Sequence, residues 1–118
     1  MTRVDENTNK IEMTRGDTLK VLIEIEDGDQ TYTPLVGDTV RFYLKHNQMD
    51  GKRKEYKDAN PLVTKTVPTE TMILELVPND TKALDFGDYV YDLEIEFANG
   101  SVDTFVNNAA LTIIPEVG

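Results

Sequence analysis

The stretch from Tyr89 to Phe97 constrains the fold more than any other part of this chain. Large apolar or aromatic side chains occupy every second position, and most positions between them are acidic. The apolar set is Tyr89, Tyr91, Leu93, Ile95 and Phe97, and the acidic set is Asp92, Glu94 and Glu96. Because successive side chains of a strand point to opposite faces, this alternation predicts a β-strand with one face in a core and the other in water.

The residues that lead into this stretch carry a second pattern. Asp85, Gly87 and Tyr89 stand at alternate positions, and Tyr91 follows two residues later. The pattern resembles the entry to strand F of an immunoglobulin-like sandwich, where a corner tyrosine hydrogen-bonds back to the preceding turn. The resemblance implies that Tyr89 makes this bond and that Tyr91 fills the core position at which antibody domains carry a cysteine.

Other segments repeat the alternation along the chain. Leu22 interrupts the polar side of one of them, and we expect it to be partly covered. Asn99-Gly100 predicts a type I′ hairpin turn, and Asn107-Asn108 predicts a bulge in the strand that follows. Residues 79–84 predict one helical turn, capped by Asn79 or Asp80. The predicted strands span 10–14, 18–26, 30–33, 39–46, 62–67, 71–77, 88–97 and 102–114.

Together these segments predict an all-β protein. The expected fold is an antiparallel, two-sheet, immunoglobulin-like β-sandwich of seven or eight strands, with one short helical turn near 79–84. A length of 118 residues suits a single domain, which we assign to residues 10–118. Residues 1–9 are polar and show no periodicity, so we expect them to form a flexible N-terminal tail.

Composition disfavours several classes of function. The chain has no cysteine, which excludes disulfides and thiolate chemistry. Its formal net charge of −10 disfavours nucleic acid and anionic membrane surfaces, because polyanions would be repelled. No segment approaches the roughly 20 apolar residues of a membrane span, and the first residues lack the apolar core of a signal peptide. We therefore expect synthesis in the cytoplasm without a signal peptide.

No catalytic or metal-binding constellation stands out. His46 is the only histidine and Ser101 the only serine, and nothing in their spacing brings them together. Asp27 and Asp29 could give two oxygens to a calcium ion, but a calcium loop needs five or six, so a surface turn is favoured. Arg15-Gly16-Asp17 is also the tripeptide that integrin receptors recognise, and here again a turn is favoured. We expect no enzymatic activity, metal or cofactor.

The segment 47–60, between two predicted strands, carries a concentration of basic residues. A basic loop on an acidic protein can contact an acidic partner, including a second copy, although a solvated loop is the favoured interpretation. Tyr43 lies on the polar side of its strand, where it either covers neighbouring apolar surface or anchors a partner. The candidate partner contacts are Tyr43, Lys52, Arg53, Lys54, Tyr56 and Lys57.

Three motifs in order carry a resemblance to a protein family. They are Arg15-Gly16-Asp17-Thr18 before an apolar strand, then Gly37-Asp38-Thr39-Val40-Arg41-Phe42, and then the run from Pro78 to Asp92 that contains Gly87-Asp88-Tyr89-Val90-Tyr91. From Ile11 to Pro115 the chain is similar to small immunoglobulin-like proteins of phages and prophages of Gram-positive bacteria, in particular the N-terminal domain of siphophage baseplate upper proteins.

The resemblance implies a structural module of a phage tail or baseplate. Such a module is made in the bacterial cytoplasm and is virion-associated. It contacts itself, as a homo-oligomer, or other phage structural proteins. The family offers no catalytic residues to transfer. Open sheet edges allow strand addition, and the expected edges are Lys10–Thr14 and Leu62–Val67. The alternative is a binding module for a host-surface glycan or protein that uses the 47–60 loop.

Overall fold

A computed structural model of the chain describes residues 2–5, 9–46 and 61–115. Over these residues the chain forms ten strands and one helical turn, and the protein is all-β. The strands are β1 (Thr2–Asp5), β2 (Lys10–Thr14), β3 (Leu19–Leu22), β4 (Ile25–Asp27), β5 (Gln30–Tyr32), β6 (Thr39–His46), β7 (Val63–Val67), β8 (Ile73–Leu76), β9 (Gly87–Glu96) and β10 (Val102–Ile114). The helical turn, α1, spans Pro78–Thr81.

Six strands form a large sheet in the order β1-β2-β10-β9-β6-β7, which curls into a half-barrel. Neighbouring strands are antiparallel, except for β2 and β10, which run parallel. In β6 and β9 every second residue enters the core. In β6 these residues are Val40, Phe42 and Leu44, all fully buried, and Phe42 lies opposite Leu93 of β9. The period-two pattern therefore places one face of the sheet in the core, as expected.

A smaller sheet packs on the large one. β3 and β8 pair antiparallel with each other, and β4 and β5 form a separate hairpin. Leu19 of β3 and Leu74 and Leu76 of β8 are buried in the same core as the large sheet's apolar residues. The arrangement is sandwich-like, because each sheet turns an apolar face inward.

The strand registers define two ends of the molecule. At one end β6 begins at Thr39, opposite Glu96 of β9, and Val102 pairs with Glu96 at the start of β10. At the other end β6 finishes at His46, opposite Tyr89. We call the first end, with the β4–β5 hairpin and residues 33–38, 68–72 and 97–101, the loop end. We call the second, with residues 15–17, α1 and residues 84–88, the base end.

The strand count in the described residues exceeds the expected seven or eight for two reasons. The predicted strand 18–26 is divided, because the Ile23 amide donates a hydrogen bond to the Met72 carbonyl (2.7 Å) and the chain then turns into the β4–β5 hairpin. In addition, Thr2–Asp5 pair with β2 as β1, so the prediction of a tail without regular structure over residues 1–9 is wrong for these four residues.

One of the two predicted sheet edges is also wrong. β2 (Lys10–Thr14) is not an edge strand, because β1 pairs with one side of it and β10 with the other. The other predicted edge corresponds to β7, which follows β6 as the last strand of the large sheet in the part of the chain that the structure describes. Among the described residues, the outermost strands of this sheet are therefore β1 and β7.

Three local predictions have different outcomes. The turn at Asn99-Gly100 is not type I′, because Gly100 has a positive φ (91°) and Asn99 does not; the Gly100 amide donates to the Phe97 carbonyl (2.9 Å), as in a type I turn. The bulge is confirmed by register shifts in β10 and by the φ of 53° at Asn108. The helical turn is present, but Asp80 caps it from its third position by accepting the Val77 amide (2.7 Å).

Candidate partner-contact surfaces

The predicted corner residues lie together at the base end. The Tyr89 hydroxyl donates to the Asp85 carbonyl (2.8 Å), and Gly87 between them has a φ of 137°, which favours glycine. Tyr91 is buried, and its ring lies 5.5 Å from that of Phe42. Its hydroxyl donates to the Asn9 carbonyl, and burial raises the pKa of Tyr91 to about 12. These contacts bury the Tyr89 and Tyr91 rings at the base end of the core.

The predicted Arg15–Asp17 turn is present at the base end, where its groups are used within the fold. The Gly16 amide donates to the hydroxyl of Thr81, which is fully buried (3.0 Å). The Arg15 guanidinium lies 4.2 Å from the centre of the Phe86 ring and covers part of it. The turn therefore joins β2 and β3 to α1 and to the segment before the corner tyrosine.

Of the predicted partner contacts, Tyr43 alone belongs to the described residues. It lies half-buried on the outer face of the large sheet, opposite Asp92 of β9 and Thr64 of β7. Burial, together with the negative charge of Glu94, raises the pKa of Tyr43. Lys52, Arg53, Lys54, Tyr56 and Lys57 lie outside the described residues.

Charged side chains on the outer face around Tyr43 are paired with one another. Arg41 of β6 contacts both Glu94 and Glu96 of β9 at 3.1 Å. Lys45 of β6 contacts Asp92 at 2.7 Å, and Asp92 also accepts the amide of Asn108 at the β10 bulge (2.7 Å). These pairs cross between strands that the sequence separates widely, and they leave this face polar with its charges compensated.

The loop end is organised around the carboxylate of Asp38. It accepts the Tyr32 hydroxyl at 2.6 Å, the Leu35 amide at 2.9 Å and the Ala98 amide at 3.2 Å. The Tyr32 bond, with the two amide bonds, holds the pKa of Asp38 below its usual value. Asp38 thus fixes the turn at residues 35–38 to β5 and to the turn that joins β9 and β10.

Exposed apolar side chains are concentrated at the same end. Seven large hydrophobic residues are exposed among the described residues, and five of them lie in the loop end or in the strand ends next to it: Leu22, Leu35, Val36, Ile73 and Val102. Val36 is fully exposed, Leu35 is 67% exposed, and Leu22 is 61% exposed, so the predicted cover over Leu22 is wrong. Leu22 and Ile73 are cross-strand partners on the outer face of the small sheet. The other two, Val77 and Phe86, lie at the base end.

Sequence reasoning did not identify this surface. Leu35 and Val36 stand between Pro34 and Gly37, where turn residues predict a loop, and two consecutive apolar residues in such a loop were the available signal. Gly37 has a φ of 96°, and a Cβ on it would lie 2.9 Å from the Ala98 Cβ. The close approach of the two loops that this reveals depends on the register of β6 and β9.

An open groove of about 410 Å³ runs between β7 and β8. Its lining residues are Lys20, Lys65, Thr66, Pro68, Thr71, Ile73 and Glu75. Lys65 bonds Asp80 at 2.9 Å and Lys20 lies 3.8 Å from Glu75, so both cations have anionic neighbours. The groove is open and its lining is part polar and part apolar, unlike the enclosed apolar cavities that usually hold small ligands.

The residues considered for chemistry are far apart. His46 lies at the base end with its ring 5.9 Å from that of Tyr89, whereas Ser101 lies in the turn at the loop end. Asp27 and Asp29 are exposed on the β4–β5 hairpin. Within residues 2–5, 9–46 and 61–115, no group of three or more His, Cys, Asp or Glu residues is placed to hold a metal ion. No helix in this part of the chain is long and apolar enough to cross a membrane.

Comparison with known proteins finds no match of this chain to a family model, to a curated protein or to a solved structure.

Proposed function

We propose that this chain is a non-enzymatic assembly module of a phage or prophage particle and acts through protein–protein contacts. The phage assignment is supported by the order of the sequence motifs from Ile11 to Pro115 and by nothing beyond the sequence. The assembly role is supported by the described surface, which offers sheet edges and exposed apolar side chains in place of an enclosed cavity.

The fold that we propose for this role is an immunoglobulin-like sandwich. Two observations support it. The strand order β2-β10-β9-β6-β7 with a parallel β2–β10 pair resembles the larger sheet of a variable-type domain, and the Tyr89 hydroxyl bonds back to Asp85 as a corner tyrosine does. The small β3–β8 sheet would then be the reduced second layer.

The observation that carries the assembly proposal is the open edge at β7. Its backbone pairs with β6 on one side, so alternate N–H and C=O groups on the other side can pair with a strand of a neighbour. Thr64 and Thr66 are exposed on this strand. Lys65 points to the other face, where Asp80 compensates its charge at 2.9 Å. An uncompensated inward lysine would discourage strand addition, and this pairing weakens that obstacle.

The test is to follow the protein into particles. After prophage induction in the encoding bacterium, density-gradient fractions are probed with an antibody against the chain. The proposal expects the chain in the particle band, at a fixed ratio to the major structural proteins. Recovery only in the particle-free fractions would contradict the assembly proposal.

Variants at β7 locate the contact. Thr64→Lys/Thr66→Lys places two charges on the exposed side of the edge strand, and we expect it to remain folded and to leave the particle band. Thr18→Lys/Thr33→Lys adds the same charge to two exposed positions that lie outside the strands, and is the matched control. If both variants remain in particles, the contact does not use β7.

The alternative, a host-surface binding module that uses the 47–60 loop, depends on residues outside the described part of the chain, and no observation favours it over assembly.

A further inference from the structure

The loop end combines two features that seldom occur together at a solvent-exposed turn. Its most exposed side chains are apolar, with Val36 fully exposed and Leu35 67% exposed beside it. Its backbone is nevertheless held in place, because the Asp38 carboxylate accepts the Leu35 amide on one oxygen and the Ala98 amide on the other. We call Leu35 and Val36 the tip.

The support behind the tip reaches the core. The Tyr32 hydroxyl bonds Asp38 at 2.6 Å, and the Tyr32 ring packs edge-to-face on Phe97, with 5.8 Å between the ring centres. Both rings are partly buried against the hydrophobic core. An apolar tip that is already ordered loses little conformational entropy when it is bound, which is the arrangement expected of a contact residue.

In the described residues of the loop end, the exposed charged side chains are all acidic. Between Val21 and Val40 the chain has five carboxylates and no lysine or arginine. Two more exposed carboxylates lie on neighbouring strands and turns of the loop end. The exposed set is Glu24, Glu26, Asp27, Asp29, Glu70 and Asp103. A surface that meets the tip must therefore bring positive charge to its rim.

We propose that the loop end docks, tip first, into an apolar pocket rimmed by lysine and arginine on a different protein. The tip would fill the pocket, and the surrounding carboxylates would orient the encounter and exclude neutral or acidic pockets. This contact is separate from the β7 edge and does not depend on the phage assignment.

Charge opposes a contact between the loop ends of two copies, and the negative charge of the whole chain disfavours a second copy as the occupant. The whole chain carries a formal charge of −10, and a second loop end would bring the same six carboxylates to the contact. Such a pairing places like charges opposite one another, which opposes association. An anionic lipid surface and a nucleic acid are disfavoured for the same reason.

The experiment uses a random-peptide display library as the probe. The library is panned against the full chain, and enriched peptides are synthesised and titrated by calorimetry against the full chain and against Leu35→Ser/Val36→Ser. We expect them to combine apolar residues with Lys or Arg. We also expect binding about tenfold weaker or worse to the double variant, since loss of a central apolar contact commonly has an effect of this size.

The controls separate binding from folding. Val77→Ser removes an exposed valine at the base end and should bind the peptides as the parent chain does. Thermal unfolding of Leu35→Ser/Val36→Ser should match the parent, because both side chains are exposed and their removal leaves no cavity. Glu24→Gln/Glu26→Gln should weaken binding and reduce its salt dependence.

Three results would overturn the inference. Enriched peptides could bind Leu35→Ser/Val36→Ser as tightly as the parent, or they could lack basic residues. Light scattering could instead reveal a dimer of the parent chain that the double variant loses, which would make the occupant a second copy. If the chain enters particles but the enriched peptides do not bind the tip, this inference is contradicted and the assembly proposal is unaffected.

Discussion

The base end and the loop end of this protein use their polar groups in different ways. At the base end, the Gly16 amide bonds the buried Thr81 hydroxyl, the Tyr89 hydroxyl bonds Asp85, and Arg15 covers Phe86. Polar groups there hold separate parts of the chain together and cover apolar surface. At the loop end, Asp38 holds the backbone in place while the apolar side chains of Leu35 and Val36 remain exposed to water.

The apolar residues at the loop end are exposed although hydrogen bonds to Asp38 hold the backbone around them. The same chain covers an aromatic ring with an arginine at one end and keeps a fully exposed valine on a fixed turn at the other. Exposed apolar surface in an ordered setting is typical of an interaction site. The base end stabilises the fold, and we assign contact with a partner to the loop end.

The largest effect is expected from breaking the base end. Thr81→Val keeps the shape of a fully buried side chain but removes the oxygen that accepts the Gly16 amide. We expect the free energy of unfolding to fall by about 1–3 kcal/mol, the usual cost of a buried donor without a partner. Urea denaturation measures the change. Thr112→Val, which loses a bond to Asp88 on the outer face, should change stability by less than about 0.5 kcal/mol. If both variants lost the same free energy of unfolding, the buried bond at the base end would contribute no more stability than the surface bond.

A second prediction concerns the core that both ends share. The pKa of Tyr91 is raised from 10.0 to about 12, so in alkali the unfolded chain loses this proton before the folded chain does. The free energy of unfolding is therefore unaffected by this group below pH 10, and it falls as the pH rises towards 12. The expected loss in free energy of unfolding is about 2 kcal/mol. Denaturation at a series of pH values would detect it, and Tyr91→Phe should show a flatter profile. An identical profile in this variant would show that Tyr91 is not responsible.

A smaller effect sharpens the account of the base end. Val77 occupies the N-cap position of α1 and offers no side-chain acceptor, although Asp80 already accepts its amide. The Asp80 amide donates to the Val77 carbonyl (2.9 Å), and Val77→Ser adds a side-chain oxygen that can share this amide, which completes a capping box. We expect a gain of about 0.5 kcal/mol in thermal unfolding, and Val77→Ala, which adds no acceptor, should show none. A gain in both variants would point to removal of the exposed valine instead.

The smallest effect on global stability is expected at the loop end. Asp38→Ala removes three acceptor contacts near the surface, so the change should be confined to residues around the tip. Hydrogen exchange of the Leu35 and Ala98 amides should accelerate, while exchange of the Gly16 amide at the base end stays unchanged. Faster exchange throughout the chain would show that the two ends are not independent.

Acid should reproduce this local change without a mutation. The folded pKa of Asp38 lies below the ordinary value of 3.8, so its contribution is present above pH 3.8 and is lost as the pH falls through the folded pKa. The Leu35 and Ala98 amides should lose protection from hydrogen exchange in that range. The Gly16 amide donates to a hydroxyl, which does not titrate there, so its hydrogen bond should persist.

Much of the fold was predictable because its signals are local. The alternation in β6, β8 and β9 correctly placed Phe42, Leu74 and Leu93 in the core. The helical turn and the β10 bulge were also found, since each is specified by a few adjacent residues. The type I′ turn was predicted wrongly from equally local signals, because Asn-Gly is compatible with more than one turn type and Asn99 adopts a negative φ.

The candidate surfaces were less predictable, because they depend on which strands become neighbours. No pattern in residues 1–9 indicates that Thr2–Asp5 pair with β2, which removes β2 from the edge of the sheet. The exposure of Leu22 beside Ile73 follows from the register of β3 and β8 and from the small size of that sheet. Leu35 and Val36 are visible in the sequence, but their rigid support comes from Ala98 and Tyr32.

By itself, the sequence determined that this chain forms strands with one buried face, and where most of those strands turn. Side-chain alternation and turn chemistry act over a few residues, so they can be read directly. The strand order, the edge at β1 and the different chemistry of the two ends follow only from the tertiary structure. Backbone hydrogen bonds between strands have nearly the same form for any pair of segments. The neighbours are therefore selected by the whole core, which brings Arg41 to Glu94 across 53 positions of sequence.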